Sequence, residues 1–99
     1  VSIEAKAEVL KALADPTRLR ILQKIALDTT PVPTCEVVIG CSGALTLSQP
    51  TVSHHITKLV QTGVLIEQKN AKQKSYRLNN DLLQTLGIDI HLLTKQENI

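Results

Sequence analysis

Cys35 and Cys41, six residues apart, are the only two thiols in this 99-residue chain. Such a pair can oxidise to a disulfide, hold a soft metalloid ion, or pack as small hydrophobes. Two cysteines are too few for a secreted disulfide scaffold, and in a reducing cytoplasm they stay thiols unless built to react. Cys35 precedes a predicted helix start, where backbone N–H groups favour the thiolate. Cys41 shares an apolar stripe with Val37, Val38 and Leu45, where burial is an equally good reading. If residues 36–45 are helical, the thiols sit about one and a half turns apart on different faces. A disulfide then needs local unwinding, which Gly40 and Gly43 make easier. Oxidation needs only these two thiols. Trivalent arsenic, or another thiophilic ion, would need a third ligand that the sequence does not reveal.

The other reactive types are poorly arranged for catalysis. Ser53 and His54 are neighbours on a predicted helix and cannot form a dyad, because adjacent side chains diverge by roughly 100°. The same divergence keeps His54 and His55 from chelating one ion. Asp89 and His91, two apart on a helix, point away from each other. No Gly-rich phosphate loop or nucleophile elbow is present, so an enzyme is not expected.

Charge is distributed unevenly. Residues 46–79 hold five bases, Lys58, Lys69, Lys72, Lys74 and Arg77, against the single acid Glu67, a local +4 in a chain whose total is +2. That concentration suits a polyanion-binding face. Tyr76 is the sole aromatic residue, which excludes base-stacking platforms and aromatic cages. No apolar run approaches the roughly 20 residues that span a bilayer. The opening VSIEAKAEVL lacks a signal peptide's apolar stretch. The expectation is one cytoplasmic domain over residues 1–99 with no membrane partner, since a second core would need about 100 more residues.

The elements that must position these groups follow from periodicity. Ile3, Ala7, Leu10 and Ala14 recur at helical spacing, and Pro16 ends that helix by disfavouring the helical region at Asp15. Asp15 then caps a second helix with Pro16 in its first turn and Ile21, Leu22, Ile25 and Ala26 as core face. Residues 28–34 read as a loop, and residues 36–45 as a short helix. Over 48–62, Ser48 caps, Val52, Ile56, Leu59 and Val60 form the apolar stripe, and Gly63 terminates in the left-handed region. VLIEQ (64–68) and SYRL (75–78) are predicted strands joined by a basic tip at 69–74. Residues 80–97 return to helix. Its apolar surface exceeds what a small core can cover, so a homodimer through Ile3, Leu10, Leu83, Leu86, Ile90 and Leu93 is expected.

This order is that of a mainly α (α+β) winged helix-turn-helix, about five helices with a two-stranded β-hairpin wing. In that fold the polar face of 48–62 enters a major groove of double-stranded DNA. Gln49, Ser53, His54, Thr57 and Lys58 would reach base edges and the adjoining strand, with Ser48 and Thr51 near a phosphate at the helix start. Lys69, Lys72 and Lys74 would sit over the sugar-phosphate backbone or in the minor groove, supplying affinity rather than base reading. The alternative is a winged helix that only dimerises or docks a protein; the basic hairpin argues against it.

KALADPTRLRIL (11–22), LSQPTVSHHITKL (47–59) and SYRLNN (75–80) together resemble the ArsR/SmtB family of bacterial winged-helix repressors, over nearly the whole chain. The resemblance implies a homodimer joined by the first and last helices, sitting on a palindromic operator and released by a metal, metalloid or oxidant. The family's Cys-x-Cys positions fall on Val37 and Ile39, flanked two residues outside by Cys35 and Cys41. Its terminal-helix metal site falls on Asn80, Leu82, Leu93 and Gln96, which cannot build a zinc site.

Overall fold

Side-chain oxygens set the helix starts. In the computed structural model, which describes residues 1–28, 30–34, 36–37 and 48–95, five helices each carry an N-cap that accepts a backbone N–H. Ser2 caps α1 (Ile3–Leu13) and Asp15 caps α2 (Pro16–Ala26). Ser48 caps α3 (Gln49–Gln61), Asn79 caps α4 (Asn80–Thr85) and Asp89 caps α5 (Ile90–Thr94). Each such bond satisfies one of the donors that a helix leaves orphaned at its first turn.

The apolar stripes of these helices meet in one core. Val9, Ala12 and Leu13 of α1 join Ile21, Leu22 and Ile25 of α2 and Val52, Ile56 and Leu59 of α3. Leu65, Tyr76 and Leu78 enter from the hairpin, and no described polar or charged residue is buried apart from the tyrosine. α2 contacts α1, α3, α5 and the hairpin, so α3 and the C-terminal segment share one support.

The sheet has three strands rather than two. β2 (Leu65–Asn70) and β3 (Gln73–Leu78) form the expected hairpin, and β1 (Val32–Pro33) adds to the far side of β3 in the order β1-β3-β2. Val32 pairs with Tyr76 and Pro33 with Ser75, inside a segment read as loop. Two prolines masked the strand, yet an edge position tolerates Pro33 because one side of the strand needs no donor. The hairpin is also tighter than expected. Asn70 pairs with Gln73, so only Ala71 and Lys72 remain in the turn, and Lys69 and Lys74 belong to strands.

The expected continuous helix over 80–97 is broken. Gly87 takes φ +71°, and the Gly87 and Ile88 N–H groups donate back to Gln84 and Leu83 carbonyls at 3.1 and 2.8 Å. That left-handed closure ends α4, and Asp89 starts α5 afresh. The apolar period runs through the break because both pieces face the same core.

Two expected dimer residues are corrected by the same geometry. Leu83 and Ile90 are each 3% exposed and belong to the chain's own core, and Leu86 is half-buried against it. Ile3, Leu10 and Leu93 remain exposed, joined by Leu92. Cys35, Cys41 and most of the predicted 36–45 helix lie outside the described residues; Val37, expected on its apolar stripe, is fully buried.

Candidate nucleic-acid interface

α3 presents its polar side outward because its apolar residues fall at steps of four and three. Val52, Ile56 and Leu59 are fully buried or nearly so. Gln49, Thr51, His54, Thr57 and Lys58 are exposed, and Ser53 and His55 lie half-buried on the flanks.

The hydroxyls on this face are already engaged. Ser48 Oγ accepts the Thr51 N–H at 3.4 Å and lies 2.9 Å from Thr51 Oγ1, which leaves one hydroxyl hydrogen of the pair for a partner. Thr57 Oγ1 donates to the Ser53 carbonyl at 2.9 Å, which leaves its oxygen to accept. Gln49, His54 and Lys58 make no side-chain hydrogen bond among the described residues, and theirs are the groups best placed to reach a partner.

The wing is aimed by Asn79. Its Nδ2 donates to the Gly63 carbonyl at 2.9 Å, its backbone N–H donates to Val64 at 2.9 Å, and its Oδ1 accepts from Leu82 at 3.2 Å. One residue thus ties the end of α3, the base of β2 and the start of α4. The sequence shows Asn79 only as the first of two asparagines after a strand, with no signal for this role.

Along one face of the hairpin run Leu65, Glu67 and Lys69 on β2, opposite Leu78, Tyr76 and Lys74 on β3. The base of that face is core and the tip is charged. Lys74 Nζ lies 3.8 Å from Glu67 Oε1, so part of its charge is offset, whereas Lys69 and Lys72 have no ion pair among the described residues. Gln49, Thr34 and residues 70–74 line one open groove between the start of α3 and the wing tip. The structure therefore brings Gln49, at the start of the helix, and the basic tip to a single groove.

Behind that surface lies a contact absent from the sequence reading of contact residues. Arg18 Nε of α2 donates to His55 Nδ1 of α3 at 3.2 Å, both side chains half-buried. At the C-terminal end, Asp89 is used as a cap, and among the described residues no three His, Cys, Asp or Glu side chains gather as metal ligands.

Three core helices, the third with an outward polar face, and a β-hairpin beside them define a winged helix-turn-helix. Residues 15–67 match the family described as bacterial regulatory protein, arsR family, and the chain belongs to it. It is 27% identical over 99 residues to an arsenical resistance operon repressor of Staphylococcus xylosus, covering 98% of this chain and 88% of that protein. It is 31% identical over 83 residues to an uncharacterised HTH-type transcriptional regulator of Methanocaldococcus jannaschii, covering 84% and 88%. The crystal structure of the transcriptional repressor PagR of Bacillus anthracis superposes with a TM-score of 0.70 at 28% identity, covering 92% of this chain and 94% of that one. Each of these relatives is named as a regulator or repressor, and none as an enzyme.

Proposed function

We propose that this regulator is a transcriptional repressor that binds a palindromic operator as a homodimer, with residues 1–99 working as one unit in the cytoplasm. α3 lies in the major groove, where Gln49, Ser53, His54 and Thr57 meet base edges, and Lys58 meets the flanking strand. Ser48 and Thr51, with the first-turn N–H groups, face a phosphate. Lys69, Lys72 and Lys74 follow the neighbouring backbone. The observation that carries this reading is the shared groove joining Gln49 to the lysine-bearing turn. A helix face for bases and a basic ribbon for phosphates are what a duplex needs side by side. The exposed Ile3, Leu10, Leu92 and Leu93 support a second copy as the covering partner. No described helix is long and apolar enough to cross a membrane.

Release is assigned to Cys35 and Cys41. Two thiols supply soft donors that suit trivalent arsenic, and they also suffice for a disulfide. The arsenical resistance repressor among the relatives supports the metalloid version; the donor count supports the oxidative one. The test is a gel shift with a duplex that the protein selects from a random pool, run in parallel on reduced, peroxide-treated and arsenite-treated protein. Selective binding of the reduced form, lost on one treatment, is expected. Dimers that ignore every duplex would instead make this a protein-docking module, and release by neither treatment would remove the cysteines from sensing.

A further inference from the structure

We propose that Arg18 and His55 are positioning residues that set the roll of α3, so that His54 is held at one angle for base reading; this rests on the DNA reading above. The apolar contacts of Val52, Ile56 and Leu59 hold α3 against the core, but hydrophobic contact is non-directional and leaves a helix some freedom to roll. A hydrogen bond on the flank of the helix is directional. Arg18 provides it from a fixed point, because its own backbone N–H donates to Asp15 Oδ1 at 3.1 Å in the cap of α2. Its Nε then reaches across 37 residues of sequence to His55 Nδ1 at 3.2 Å. The geometry also dictates the proton: Nδ1 accepts, so the hydrogen of a neutral His55 sits on Nε2.

His54 completes the arrangement. Its ring lies edge-on to that of His55, centroids 6.0 Å apart and planes at 62°. Fixing His55 therefore removes one side of the space in which the exposed His54 ring can turn. Binding sites need side chains held within roughly 10–20° of the productive geometry.

The test uses the full chain with Arg18→Ala, His55→Leu and His55→Asn. Affinity is measured for a duplex selected by the wild-type protein from a random pool and for its scrambled counterpart. Nitrogen-15 spectra of the histidine rings report the tautomer independently of DNA. The wild-type His55 is expected as the Nε2–H form. Arg18→Ala and His55→Leu are expected to reduce the preference for the selected duplex about tenfold, the scale of one lost base contact. Affinity for scrambled duplex should stay within about twofold, since the wing lysines that set it are untouched. His55→Asn places Oδ1 where Nδ1 stood and should restore the preference, a rescue that a purely structural loss would not show. An Nδ1–H tautomer in the wild type overturns the proposal, as does a His55→Leu protein that discriminates normally or a His55→Asn protein that fails alongside it. A wild type that selects no duplex overturns the DNA reading and the specificity role together, and the tautomer then reports separately on the contact itself.

Discussion

Lys69 and Lys74 stand directly opposite each other across the β2–β3 hairpin, on the same face. Like charges in register repel, and the nearby Glu67 offsets only part of that repulsion. A phosphate backbone would relieve it. Lys69→Ala is expected to raise the Tm of the free protein slightly while weakening binding to every duplex alike. The slope of log affinity against log salt should fall by about one for that lysine. Lys72→Ala, in the turn and without a cross-strand partner, should show the binding loss without the gain in Tm. Thermal melts and salt-titrated gel shifts on both variants make the comparison.

Ala71 closes the same hairpin with φ +57°, while Lys72 stays at negative φ. An L-residue in the left-handed region costs about 1–2 kcal/mol, and glycine avoids that cost. Added freedom of the unfolded chain returns about 0.4–1 kcal/mol of it. Ala71→Gly should therefore stabilise the protein by about 0.5–1 kcal/mol in chemical denaturation, and Ala71→Val should destabilise it.

Base reading is proposed for α3 and backbone gripping for the wing, so the two should be separable. Replacing Ser53 or His54 by Ala should bring the affinities for selected and scrambled duplex together by lowering the first, a loss of about 1–3 kcal/mol of discrimination. Competition binding with the two duplexes measures it. A variant that lost both affinities equally would mean that these side chains carry no sequence information.

Gly63 and Gly87 both have positive φ, at +89° and +71°, but different surroundings. A Cβ at Gly63 would lie 3.2 Å from Leu82 Cδ2, whereas one at Gly87 would meet nothing within 4 Å. Alanine at either position carries the left-handed cost of about 1–2 kcal/mol. Gly63→Ala adds crowding at the junction of α3 and the wing, so its loss of stability should be the larger. Urea denaturation of the two variants orders them.

Leu10 and Leu93 are exposed while Leu83 is buried, which should separate the proposed association from folding. Leu10→Glu and Leu93→Glu should leave a folded chain that sediments as a monomer. Leu83→Glu puts a charge into the core and should prevent folding, since burying an unpaired carboxylate costs several kcal/mol. Sedimentation together with far-UV circular dichroism distinguishes the two outcomes.

Local pattern was enough for much of this molecule. Asp15 before Pro16, Ser48 before a stripe at steps of four and three, and Gly63 after it mark α2 and α3 within a residue or two of their ends. The polar face of α3 is legible for the same reason, since the apolar residues that meet the core dictate what is left outside. The excess of lysine after Gly63 marks the wing.

What sequence spacing cannot carry is any relation between elements distant in the chain. Val32–Pro33 became a strand because β3 offered it partners more than 40 residues away, against what two prolines suggest in isolation. The helix over 80–97 broke because Gly87 and Asp89 together supply a terminator and a cap, although the apolar period continues past them. Leu83 and Ile90 read as surplus surface until the core was there to receive them. Arg18 met His55, and Asn79 met Gly63, only once α2, α3 and the hairpin had packed. Periodicity and capping are properties of a few neighbouring residues and can be read in line; partners are chosen by shape in three dimensions, and only the folded chain decides them.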